Sequence, residues 1–177
     1  MLGSGARHLS AVVVTLLAGC ALSFGCGGST ASQPNQVSEH VRIMRGAQGS
    51  VTVLMPVTIN GQGPFTFALD TGAATSLVDT AIASQVGLPA IGPEQQISGV
   101  GGVETATPVR VTSWSSGRIT LPPVTASAAS LPTTRRGGGL QGLVGSDAWN
   151  RIGGFTLDYR SGTLTVTQGA GGTSPPA

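Results

Sequence analysis

Lysine is absent from all 177 residues. That removes any phosphate-cradling Gly-rich loop that depends on a Lys. Only 9% of residues are charged and the formal net charge is +2, so the clustered basic stripe of a nucleic-acid binder is missing too. Histidine is nearly absent: His8 and His40 are the two in the chain. A Ser-His-Asp arrangement would have to use His40, at the edge of the region read below as the domain. The two cysteines, Cys20 and Cys26, lie near the N-terminus, so a Cys nucleophile or a zinc site would have to be built there. Aromatics make up 4%. What remains for chemistry is carboxylate: Asp70, Asp79, Glu94, Glu104, Asp147 and Asp158, with Glu39 just outside the domain. The apolar share of 40% suffices to bury one core, and the length suits one domain.

The N-terminal segment reads as a targeting signal. Arg7 and His8 precede an apolar run, Leu9 to Ala18, which is too short to span a bilayer and suits the apolar part of a signal peptide. It ends in Leu17-Ala18-Gly19-Cys20, which resembles a bacterial lipoprotein signal. In such signals the chain is cut before the Cys and the Cys is lipidated. The resemblance implies a signal over 1–19, a lipid on Cys20, and a domain held to a membrane of the cell envelope, outside the cytoplasm. An ordinary secretory signal with an incidental Cys is the alternative, and Cys26 is a poorer lipidation candidate. No disulfide framework is predicted. Residues 27–38 (GGSTASQPNQVS) read as flexible linker, so 20–39 is assigned to lipidated Cys and linker. Residues 169–177 read as a disordered tail, which leaves 40–168 as the domain.

Within the domain the patterns are mostly those of strands. Val51, Val53, Met55, Val57 and Ile59 alternate with other residues, the period of a half-buried strand. Asn60-Gly61-Gln62-Gly63 marks a tight turn, and a return strand runs over 65–70. A short strand at 76–78 leads to Asp79, an N-cap for a helix over 80–86 that Gly87 closes. Residues 95–115 form a second hairpin with its tip at 98–102. Strands are expected at 106–114 and 117–128, a loop at 131–140, and a buried strand at 141–145. A short helix over 146–152 and strands at 155–159 and 162–167 complete the domain. There is no internal repeat and no second Asp-Thr-Gly.

The most informative stretch is Asp70-Thr71-Gly72-Ala73, directly behind the alternation Phe65, Phe67, Leu69. It sets an acid at the end of a strand, followed at once by a turn of small residues. Taken alone, Asp70 is also compatible with a structural turn acid bonding its own backbone. Gly99, Gly101 and Gly102 alone are compatible with an ordinary hairpin tip.

In order along the chain, residues 51–167 resemble a retropepsin-like aspartic protease domain of the small bacterial group often joined to export signals. Phe67 to Ala73 resembles the catalytic loop, and Gly99-Val100-Gly101-Gly102 the flap tip. Gly142 with Leu143-Val144-Gly145 resembles the strand that threads behind the loop. Leu157-Asp158-Tyr159 with Gly162 and Leu164 resembles the closing hairpin. The resemblance implies a mostly β fold, a single-lobe closed barrel with one or two short helices. It implies Asp70 as the catalytic acid, supported by Thr71, Gly72 and Ala73, under a flap at 97–103. No cofactor or metal is called for, the substrate is a peptide or protein, and no nucleic-acid partner is expected. One domain supplies one such acid, so the chain is expected to act as a homodimer about a two-fold axis.

Two departures stand out against the viral members of that family. They carry an acid soon after the Asp-Thr-Gly-Ala and a base after the later Gly, which form an ion pair. Here those places hold Ala74 and Ser146. The alternative function is therefore a non-catalytic peptide-binding module of the same fold, anchored to the envelope; a third is a purely structural lipoprotein. Asp147 is expected to stabilise the start of its helix. Trp114 and Trp149 are expected in the core or an interface, and Arg110 and Arg118 as solvent-facing strand-edge charges.

Overall fold

The computed structural model describes residues 35–46, 49–99, 102–131 and 139–168. The signal, Cys20, Cys26, the linker up to residue 34, Val100 and Gly101 of the flap tip, loop residues 132–138 and the tail all lie outside them. The fold is mostly β with two short helices, as the residue patterns lead one to expect.

The first hairpin joins β3 (Val51–Ile59) to β4 (Gln62–Leu69) through a two-residue turn. Asn60 and Gly61 both take positive φ, at 50° and 74°, which is why an Asn-Gly pair stands there. The turn is thus shorter than the four residues expected, and β4 starts at Gln62. Val53, Met55, Val57, Ile59, Phe65 and Phe67 point into the core, because side chains two apart share a face.

β5 (Leu77–Asp79) leads into α1 (Thr80–Gln85). The Asp79 carboxylate caps this helix by accepting from the Ala81 amide at 2.9 Å, and a second oxygen accepts from Leu131 at 3.0 Å. Gly87, at φ 67°, carries the chain out of the helix in the conformation a glycine adopts without strain. The hairpin expected to carry the flap consists of β6 (Gln95–Gly99) and β7 (Gly102–Val111).

The strand expected over 117–128 is broken. β8 (Trp114–Ser116) turns at Gly117 into β9 (Ile119–Thr120), and β10 (Val124–Ala129) starts afresh. The cause is Pro122-Pro123, which lack the amide hydrogens that a continuous ladder needs. β11 (Gly142–Val144), α2 (Ser146–Ile152), β12 (Phe155–Asp158) and β13 (Thr163–Gln168) follow.

The N-terminal boundary needs correction. Residues 35–39, assigned to the linker, belong to β1 (Asn35–His40), which pairs antiparallel with β13 from Asn35↔Gln168 to His40↔Thr163. Val37 is the one apolar residue in that strand, too few to show a period. Its hold is tertiary: the Ser38 and Thr165 hydroxyls bond at 2.7 Å, and Glu39 accepts from the Arg118 amide at 2.6 Å. Arg118 faces solvent, as expected, and carries an ion pair as well. Its guanidinium pairs with Glu39 at 3.2 Å and donates to the Ser38 carbonyl at 2.9 Å.

Strand order in the large sheet is β6-β7-β10-β5-β11-β4-β3-β8-β9. A further strand, β2 (Arg42–Arg45), pairs with β3. β11 lies between β4, to which it is parallel, and β5, to which it is antiparallel. That single insertion brings residues 142–147 behind the turn that follows Leu69.

Candidate active site

Asp70 is the first residue past β4. Its amide donates to the Val144 carbonyl at 3.1 Å, one ladder step beyond the Leu69↔Val144 pair. Its side chain turns onto its own loop. Oδ1 accepts from the Gly72 amide at 2.9 Å and from the Ala73 amide at 3.2 Å. Both bonds fall on the same oxygen, so Oδ2 takes no part in the pinning. Thr71 and Gly72 are exposed within the subunit, as are Ala74 and Thr75.

Glycine is demanded behind the loop more than within it. A Cβ on Gly72 would meet only Asp70 Oδ1, at 3.3 Å, so space inside one subunit does not require Gly there. A Cβ on Gly145 would sit 2.8 Å from the Thr75 carbonyl carbon, 2.9 Å from the Ala73 oxygen and 2.9 Å from the Ser76 amide. At Gly142 it would run into the Phe67 ring. These two glycines let β11 lie flat against the loop.

Ser146 and Asp147 tie the start of α2 to the Asp70 loop and to Ser76 behind it. Ser146 donates twice to the Ala73 carbonyl, from its amide at 2.8 Å and its hydroxyl at 3.0 Å. Next to it, Asp147 Oδ1 accepts from the Ser76 hydroxyl at 2.7 Å, the Ser76 amide at 3.0 Å and the Ala148 amide at 3.0 Å. The bond to Ala148 fits the expected role at the helix start. The two bonds to Ser76 leave no local pattern, since they link residues far apart in sequence. Trp149 is buried, and its indole N–H donates to the Val144 carbonyl at 2.9 Å. Trp114 is buried likewise, donating to the Pro122 carbonyl at 2.7 Å.

Leu143, Val144 and Gly145 are thus brought to the Asp70 loop, with Thr71, Gly72 and Ala73 in it. Gly99 and Gly102 bound β6 and β7 on either side of the expected flap tip, and Cys20 lies outside the described residues. Surface hollows lined by His40, Arg42 and Phe65, and by Arg45, Tyr159 and Arg160, do not include Asp70.

Residues 55–148, more than half of the chain, match the family model described as aspartyl protease. The chain belongs to the aspartyl protease family. The matched span runs from the core of β3 through the Asp70 loop and the β6–β7 hairpin to the start of α2. No curated protein matches the chain. Among solved structures, it is similar to a retropepsin-like aspartic protease from Rickettsia conorii. The identity is 18%, over 76% of this chain and 100% of that one, with a TM-score of 0.48.

Proposed function

We propose that this protein is a homodimeric aspartic endopeptidase in which Asp70 of two subunits activates the water that attacks a peptide bond. The observation that carries the reading is the Asp70 carboxylate at a strand end, its Oδ1 held by the Gly72 and Ala73 amides. Two carboxylates brought to about 3 Å cannot both ionise, so they share one proton. The charged member takes a proton from water while the protonated one polarises the scissile carbonyl. The exposure of Thr71 and Gly72 supports a two-fold contact through this loop. The flap hairpin would close over an extended peptide and exclude water. The lipoprotein-like N-terminus supports a site of action in the cell envelope, with the membrane reached through Cys20.

A second reading is a peptide-binding module that does not cut. Ala74 and Ser146 favour it, since the ion pair of the viral pattern is missing. A chain that stayed monomeric would hold one carboxylate and bind without hydrolysis.

The test is cleavage of a peptide library by the full chain in detergent, between about pH 4 and 8, beside Asp70→Asn. Asn keeps an oxygen for the Gly72 and Ala73 amides but cannot act as the base. Cleavage is expected to fall by about 100-fold or more in the variant, with an unchanged melting curve. A folded, dimeric wild type that cleaves nothing would replace the peptidase by the binding module. Fatty-acid labelling that is lost in Cys20→Ser would test the anchor.

A further inference from the structure

We propose that Ser76 and Asp147 are positioning residues that set the geometry of the Asp70 loop, a role that rests on the reading of Asp70 as catalytic. Ser76 is fully buried and its hydroxyl is used in both directions. It accepts from the Gly145 amide at 3.0 Å and donates its only proton to Asp147 Oδ1 at 2.7 Å. The carboxylate fixes which way that hydroxyl points, because Asp147 Oδ1 only accepts. With the hydroxyl proton committed there, its lone pairs are aimed at Gly145.

The consequence passes to Asp70 in two steps. Gly145 is followed by Ser146, whose amide and hydroxyl both hold the Ala73 carbonyl. The Ala73 amide in turn holds Asp70 Oδ1 at 3.2 Å. A shift of Gly145 relative to Ser76 therefore moves Ala73, and with it the carboxylate. Catalytic constellations tolerate about 0.5 Å of such looseness, and about 1 Å of misplacement costs roughly 100-fold in rate.

A further observation sets Asp147 apart from an ordinary helix-capping acid. Its Oδ2 is buried and meets no donor among the described residues. All three hydrogen bonds of the carboxylate fall on Oδ1, and two of them come from Ser76.

Amide hydrogen exchange on the full chain, read by NMR, tests the proposal whether or not the protein cleaves peptides. In Ser76→Ala and Asp147→Ala, the Asp70 and Ala73 amides are expected to exchange at least tenfold faster than in wild type. The core amides of Val57 and Phe67 should keep their rates. Asp147→Asn, which retains an acceptor in the place of Oδ1, should restore most of the protection. Where the wild type cleaves and Asp70→Asn does not, the two alanine variants should also lower kcat by tenfold or more, with KM held within about twofold. Wild-type exchange at Asp70 and Ala73 in either folded alanine variant would overturn the proposal. So would an equal acceleration at Val57 and Phe67, which marks a general loss of stability. If Asp147→Ala fails to fold, Ser76→Ala carries the test, since it removes the hydroxyl alone. A wild type without cleavage would defeat the peptidase reading and leave the exchange result to judge the positioning.

Discussion

The amide of Asp70 donates to the carbonyl oxygen of Val144 at 3.1 Å, so the first residue past β4 is fixed by the residue that ends β11. The same carbonyl accepts the indole N–H of Trp149 at 2.9 Å. One oxygen therefore joins the loop, the strand behind it and the first helical turn after that strand.

Trp149→Phe removes one of those two donors. Val144 keeps the Asp70 amide, so the carbonyl is not orphaned, and the loss should stay near 0.5–1.5 kcal/mol, about the net worth of one hydrogen bond. The ring contact with Phe155, at 4.9 Å between centroids, survives in the variant. Urea unfolding followed by far-ultraviolet circular dichroism measures the difference. A loss above about 3 kcal/mol would mean that the indole is needed for packing as well.

Gly145→Ala is expected to damage both stability and activity. The new Cβ would press on the backbone of Thr75, Ala73 and Ser76 at 2.8–2.9 Å, and backbone cannot rotate away as a side chain can. Overpacking of this kind costs about 1–3 kcal/mol. Gly72→Ala should be milder in the isolated subunit, since its Cβ would meet only Asp70 Oδ1 at 3.3 Å. On the homodimer proposed above, any large effect at Gly72 should fall on dimerisation. Comparing urea midpoints with sedimentation of the two variants separates these outcomes.

Stability in acid should depend on the β12–β13 turn. The Ser161 hydroxyl, then the amides of Arg160 and Ser161, hold the Asp158 carboxyl below its ordinary 3.8. The unfolded chain thus binds the proton more readily than the folded one. The contribution is fully present above about pH 4 and is lost as the pH falls below 3.8 through the lowered value. The gap in melting temperature between wild type and Asp158→Asn should be constant near neutrality and close in acid. A gap that widens as the pH falls would contradict the assignment.

The β3–β4 hairpin, the Asp70 loop and the span of α2 are legible in the sequence because their causes are local. Alternating Val53, Met55, Val57 and Ile59 needs only a strand with one buried face. Asn60-Gly61 needs only two residues that accept positive φ. Asp79 caps α1 as its position implies. The break at Pro122-Pro123 had a local signal as well, in two residues that cannot donate to a ladder.

Other features had no local signal to read. β1 joins β13 with a single apolar residue, held by Ser38 and Glu39 to partners far along the chain. The insertion of β11 between β4 and β5 leaves no period in the sequence; it depends on Gly142 and Gly145 meeting Phe67 and Thr75. The sequence by itself determined which residue types and turns are available: one Asp-Thr-Gly behind an apolar strand, no Lys, and no second acid motif. Only the tertiary structure decided that Ser76, Ser146 and Asp147 hold that loop. Hydrogen bonds between distant segments are short-ranged and directional, so they are settled by how the strands pack and not by the order of residues along the chain.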